Sequence, residues 1–187
     1  NAIHTVSVIA LTSGCLLLVV GLLIARPILE AMDTPDDVID LAVLYLRIYF
    51  LGMPFFMIYN FGASILRSMG DTKRPLYCLV AAGIINTVLN LLLVIVFKMS
   101  VAGVAIGTVV ANMFSAGVII YILRHEQGPF KLDFKHLRIN RPELRKVLQI
   151  GVPAGIQGMV FSIANIFIQA AVNRFGSAAI AGSAAAL

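Results

Sequence analysis

Five apolar runs of 20 residues or more, separated by short polar blocks, restrict this chain to one kind of fold. They are Val6 to Ala25, Val38 to Leu66, Leu76 to Phe97, Val101 to Leu123 and Val147 to Val172. At 1.5 Å of rise per residue, about 20 residues cross a hydrocarbon core of about 30 Å. Within that core each backbone N–H and C=O must find a partner, which a helix supplies from its own segment. The expectation is an all-α, polytopic membrane helix bundle. It has five complete spans, and the apolar Ala178 to Leu187 begins a sixth. Composition agrees, with 60% hydrophobic and 12% charged residues, outside the usual range of soluble domains. There is no initiator Met and no signal peptide, and AGSAAAL stops inside an apolar segment, so a piece of a longer polytopic protein is expected.

The net charge of +5 suggests nucleic acid only until its distribution is considered. Ten of the 14 Lys and Arg residues fall in two loops: Arg67, Lys73 and Arg74, then Arg124, Lys131, Lys135, Arg138, Arg141, Arg145 and Lys146. Alternating spans put both loops on one side. The other side carries Arg26, Lys98 and Arg174 together with Glu30, Asp33, Asp36 and Asp37. This asymmetry predicts that the basic loops are cytoplasmic, and that the partner is a lipid bilayer and not a nucleic acid. Cys15 and Cys78 lie in separate apolar runs without metal-type spacing, so both are expected as free thiols.

Boundaries are well marked. Thr34 and Pro35 offer a helix start after the first span, and Gly52 with Pro54 predicts a kink in the long second span. Gly70 should end that span, and Asp71 or Thr72 should begin the next. Only Lys98, Met99 and Ser100 join the third and fourth spans, which predicts a tight antiparallel hairpin. Gln127 to Asn140 is the one long polar stretch, and Asn140 with Glu143 has the spacing of a capping box. The expected division is therefore residues 1–124 as a four-helix group, 125–141 as a basic cytoplasmic linker, and 142–187 as the start of a second group.

Polar residues inside the spans carry the functional signal. Gly103, Gly107, Ala111 and Ser115 recur every fourth residue, a stripe that lets helix backbones approach closely. The fifth span bears Gly158, Ser162, Asn165, Gln169 and Asn173 at steps of three or four, with Gln157 beside them. Such a seam either bonds another helix or lines a cavity; Gln157, Ser162, Asn165 and Gln169, with Asn60 of the second span, are the substrate-cavity candidates. Asn86 and Asn90 lie one helical turn apart in an otherwise apolar stretch. By the rise per residue, Tyr45 lies roughly 15 Å from the outer surface, Asn86 roughly 16 Å, and Asn90 and Thr108 roughly 10 Å. Oxygens converging at one depth either bond one another or suit a hard cation. Arg47 lies at that depth too, where it either snorkels or pairs with a carboxylate from elsewhere. No Asp or Glu lies deep within a span. His4, His125 and His136 lack the pattern of a metal or catalytic site, and no nucleophile–base, metal-binding or phosphate-cradling motif is present, so an enzyme is not expected.

YLRIYFLGMPF, ILRSMGDTKRP, NTVLN followed by MSVAGVAIGTVVAN, then IGVPAGIQ and VNRFGSAAIAG occur in an order that resembles the multidrug and toxic compound extrusion (MATE) family. The resemblance covers essentially the whole chain, as the third to seventh helices and the start of the eighth of a twelve-helix transporter. It implies a multi-pass protein of the bacterial inner membrane that exports drugs or organic cations while Na⁺ or H⁺ enters, with no cofactor beyond the coupling ion. It also implies that residues 1–124 belong to an amino-terminal lobe and 142–187 open a carboxy-terminal one, the rest of the transporter being the remaining partner. The family binds its coupling cation with a first-helix Asp, two polar fifth-helix residues and a sixth-helix Thr. Asn86 and Asn90 match the pair, Thr108 matches the hydroxyl, and Tyr45 matches a nearby tyrosine; a Na⁺ would sit at Asn86, Asn90 and Thr108. The Asp would lie before Asn1. Some relatives have Asp where this chain has Asn90, and some have an acid near Phe161 or Ser162 that is not seen here. A lipid-linked saccharide flippase of the same superfamily is the alternative, but it should have a strongly basic cavity. A polytopic membrane enzyme should have a catalytic constellation.

Overall fold

The computed structural model describes residues 2–31, 36–126 and 139–173, and the regular structure there is entirely helical. In order it comprises α1 (Ala2–Ala31), α2 (Asp36–Leu51), α3 (Met53–Ser68), α4 (Lys73–Leu91), a π-helical turn (Leu92–Val96), α5 (Ser100–His125) and α6 (Arg141–Asn173). α1, α4 with its π turn, α5 and α6 are each long and apolar enough to cross a membrane, and α2 with α3 forms a further candidate span bent by 45°. These are the five spans expected from the apolar runs. Thr34, Pro35 and the run from Ala178 lie outside the described residues.

The bend falls at Gly52, as the Gly52–Pro54 signal predicts. Pro54 has no N–H to donate to the preceding turn, and the Gly52 N–H bonds only three residues back, to Tyr49 O at 3.0 Å. α3 ends in a Schellman motif: Gly70 takes φ +84°, its N–H reaches Arg67 O, and the Asp71 N–H reaches Leu66 O, both at 3.0 Å. Asp71 Oδ1 then accepts the Arg74 N–H at 3.1 Å, so Asp71 supplies the side-chain cap of α4. Lys98 and Ser100 take left-handed conformations, φ 53° and 50°, in the turn between the π segment and α5.

The chain divides into two compact units, Asn1–Asn140 and Arg141–Leu187. In the first, α5 packs against α4 and against α2 and α3, while α1 packs against α2 and α3. Lipid is as apolar as leucine, so close packing must hold these helices together, and small residues permit it. A Cβ on Gly62 would overlap Ile119 Cγ2, and one on Gly14 would lie 2.6 Å from Pro54 Cα. The core joins Ile3 of α1, Ala63 and Leu66 of α3, Cys78 of α4, and Ile119 and Leu123 of α5. Leu16, Leu23, Leu76, Ile84 and Ile95 are more than half exposed, a pattern suited to hydrocarbon. Charges gather at the helix ends. Arg74 bonds Asp71 at 3.0 Å and Glu126 at 2.7 Å, joining the start of α4 to the end of α5. Arg26 pairs with Glu30 at 2.9 Å and approaches Asp40 at 3.9 Å, near the facing ends of α1 and α2.

The described part of the second unit is α6 alone, with residues 151–165 exposed. Its expected capping box is not closed at Glu143. The Asn140 N–H donates to Thr5 Oγ1 at 3.0 Å, and Glu143 pairs with Lys146 at 3.4 Å.

Candidate functional site

The antiparallel α4–α5 pair brings three of the four predicted coupling residues together. Its register is set by the small-residue stripe, since Gly103, Gly107, Ala111 and Ser115 are all buried. Gly103 lies against Leu93, Gly107 against Asn90, and Thr108 against Asn86; further along, the Cys78 thiol donates to Ser115 O at 3.6 Å. Moving along α5 therefore moves back along α4, and the two amides of α4 fall opposite Gly107 and Thr108.

The resulting relay has a defined polarity. The Thr108 hydroxyl donates to Val104 O, one turn back in its own helix, at 3.0 Å. With that proton committed, Thr108 Oγ1 can only accept, and it takes an N–H from Asn86 Nδ2 at 3.3 Å. Asn86 must then present its oxygen to α4's next turn, where Oδ1 accepts from Asn90 Nδ2 at 3.2 Å. Asn90 Oδ1 is left at the open end, buried and without a hydrogen-bond partner among the described residues. Amide orientation follows from such a network, and here the hydroxyl anchors it. An orphaned acceptor in a low-dielectric setting costs about 1–3 kcal/mol unless a donor or cation meets it.

The π turn Leu92–Val96 begins two residues after Asn90. Such turns concentrate at functional positions in helices, and no residue type in LLVIV marks one in the sequence. Tyr45 does not join the relay; it stacks on Tyr49 with ring centroids 6.1 Å apart. Arg47 is exposed on α2 and forms no ion pair among the described residues. Asn60 turns its amide back to Phe56 O at 2.8 Å on α3. Gln157, Ser162 and Asn165 are exposed on α6, within the second unit, and the side chain of Gln169 lies outside the described part. Within the first unit the structure thus assembles Asn86, Asn90 and Thr108. An apolar cavity of 140 Å³ between α1, α3 and α5, lined by Val8, Leu11, Ile58, Phe61 and Leu123 among others, was not indicated by the sequence pattern. Buried and lipid-facing apolar residues look alike there.

Residues 1–92 match the MatE family model. The chain is 34% identical over 165 residues to the probable multidrug resistance protein YpnP of Bacillus subtilis, covering 87% of this chain and 36% of that protein. It is 33% identical over 175 residues to the probable multidrug resistance protein YoeA of the same organism, covering 90% and 38%. The chain therefore spans well under half the length of these relatives. A crystal structure of a MATE protein in a bent conformation superposes with a TM-score of 0.82 at 23% identity, over 90% of this chain and 38% of that one. An outward-facing multidrug resistance MATE transporter superposes equally well, with a TM-score of 0.82 at 23% identity, over 91% and 38%. That structural likeness shows the fold. Together, the apolar spans, the MatE domain matched over residues 1–92 and the relatives make this multi-pass membrane chain similar to the MATE family, a family of transporters and not of enzymes.

Proposed function

We propose that this chain forms part of a secondary antiporter that exports drugs or organic cations in exchange for Na⁺ or H⁺, with Asn86, Asn90 and Thr108 at the coupling site. The observation that carries the reading is the buried Asn90 Oδ1, unpartnered among the described residues, at the end of a relay in which Asn90 Nδ2 donates to Asn86, Asn86 Nδ2 to Thr108 and the Thr108 hydroxyl to Val104. Its open valence is an oxygen, which suits a cation or a protonated carboxyl and offers nothing to an anion. The spans lack a deep acid of their own, so the carboxylate that shares the ion or carries the proton comes from elsewhere in the protein. In this reading residues 1–124 belong to the amino-terminal lobe, 125–141 form the cytoplasmic linker and 142–187 open the carboxy-terminal lobe. The fifth-span amides and Asn60 are assigned to the substrate path. The relatives' names, as multidrug resistance proteins, support the substrate class.

The test is efflux of a fluorescent organic cation from vesicles carrying the protein expressed from its complete reading frame. Na⁺ and H⁺ gradients are imposed separately. Asn86→Ala/Asn90→Ala should lower gradient-driven efflux about tenfold or more while yield stays near wild type. Full gradient-driven efflux in the double variant would leave the pair as an interhelical bond and end this assignment.

A further inference from the structure

We propose that Gly107 is a positioning residue for the coupling site: by having no side chain, it leaves the space in which the Asn90 carboxamide oxygen sits. The inference rests on the reading of Asn90 given under Proposed function. A Cβ built on Gly107 would collide with Asn90 Oδ1, whereas its next contacts, Asn90 Cγ at 3.4 Å and Leu89 Cβ at 3.5 Å, are ordinary van der Waals distances. The conflict is therefore with one atom, at the free end of a rotatable side chain. That same oxygen is the buried acceptor that no donor reaches.

Gly103, one turn away in the same stripe, behaves differently. A Cβ there would lie 3.0 Å from Leu93 Cβ and 3.3 Å from the Leu93 backbone, so Gly103 separates two helices while Gly107 accommodates an amide. Rotation of the Asn90 amide to escape a methyl at 107 would also carry Nδ2 away from Asn86 Oδ1, now 3.2 Å away. One methyl would then move the open oxygen and uncouple it from the Thr108-anchored relay, without requiring the helices to part.

The experiment compares Gly107→Ala, Asn90→Ala and the double variant, with Gly103→Ala as a packing control. Yield is measured with gradient-driven efflux as a function of the coupling ion and of the fluorescent cation. Gly107→Ala should keep near-normal yield, raise the ion concentration (or the size of the pH gradient) needed for half-maximal efflux about two- to tenfold, as loss of one hydrogen bond implies, and leave half-saturation by the organic cation unchanged. In the Asn90→Ala background the same change should have no further effect. Gly103→Ala should lower yield instead. Unchanged ion dependence in Gly107→Ala, or an equal added loss in both backgrounds, would overturn the inference. If Gly107→Ala proves poorly folded, recovery of yield in Asn90→Ala/Gly107→Ala supports the amide as the sole obstacle, and failure to recover overturns it. Intact coupling in Asn90→Ala alone would refute the coupling-site reading; an unfolding midpoint in detergent that Gly107→Ala lowers in the wild type and not in Asn90→Ala would still show that Gly107 positions Asn90, and equal drops in both backgrounds would refute that as well.

Discussion

Removing the Thr108 hydroxyl tests the polarity of the relay directly. Thr108→Val keeps the side-chain shape, so what is lost is the acceptor for Asn86 Nδ2 at 3.3 Å and the back-bond to Val104 O at 3.0 Å. The Val104 carbonyl retains the helical bond from the residue 108 N–H, so the back-bond contributes little. The interhelical bond is long for its type, which places it toward the weaker end of its range. Side-chain hydrogen bonds between membrane helices average about 0.6 kcal/mol and reach about 1.7 kcal/mol. A double-mutant cycle with Asn86→Ala should therefore give a coupling energy of about 0.3–0.6 kcal/mol, measured by reversible unfolding in mixed detergent. Thr108→Ser, which keeps the hydroxyl, should retain most of it. A coupling energy indistinguishable from zero would show that Asn86 and Thr108 do not bond, and the argument fixing Asn90 Oδ1 at the open end would fall with it. Gradient-driven efflux should drop further in Thr108→Val than in Thr108→Ser, because only the valine releases the amide polarity.

Two other expectations follow from contacts and charge. Gly62→Ala and Gly83→Ala should shift unfolding in opposite directions. A methyl at 62 overlaps the buried, β-branched Ile119, at a cost of about 1–3 kcal/mol, whereas among the described residues nothing lies within 4 Å of a Cβ at 83, where helix propensity should stabilise by up to about 1 kcal/mol. Ile119→Leu, which moves the branch away from Cβ, should restore part of the Gly62→Ala loss, and equal shifts at both glycines would contradict the packing. For orientation, a cysteine introduced at Gln127 in a background lacking Cys15 and Cys78 should resist an impermeant thiol reagent added to intact cells, while one at Lys98 should react; the reverse pattern would invert the topology read from the ten-to-three Lys/Arg asymmetry.

Sequence alone determined the spans, the kink and the turns, because each rests on local physics. A run such as Val101 to Leu123 has the length and apolarity of a crossing helix wherever it packs, and Gly52 with Pro54 disturbs the helical ladder through its own covalent chemistry. Gly70 ended α3 for a similar reason, since glycine takes the left-handed conformation that the motif requires at little steric cost. Depth counting along single helices also brought Asn86, Asn90 and Thr108 to nearby levels of the membrane. Depth gives no azimuth, and Tyr45, at a similar level, stacks on Tyr49. Nor does depth say which residues face one another across α4 and α5; in the structure the amides bond one another and Thr108. Tertiary structure decided that Thr108 bonds Asn86, that Gly107 faces an amide and Gly103 a leucine, and that one oxygen remains open. Those facts depend on which residues two helices place opposite each other, and that register arises from packing between segments, which no single segment encodes.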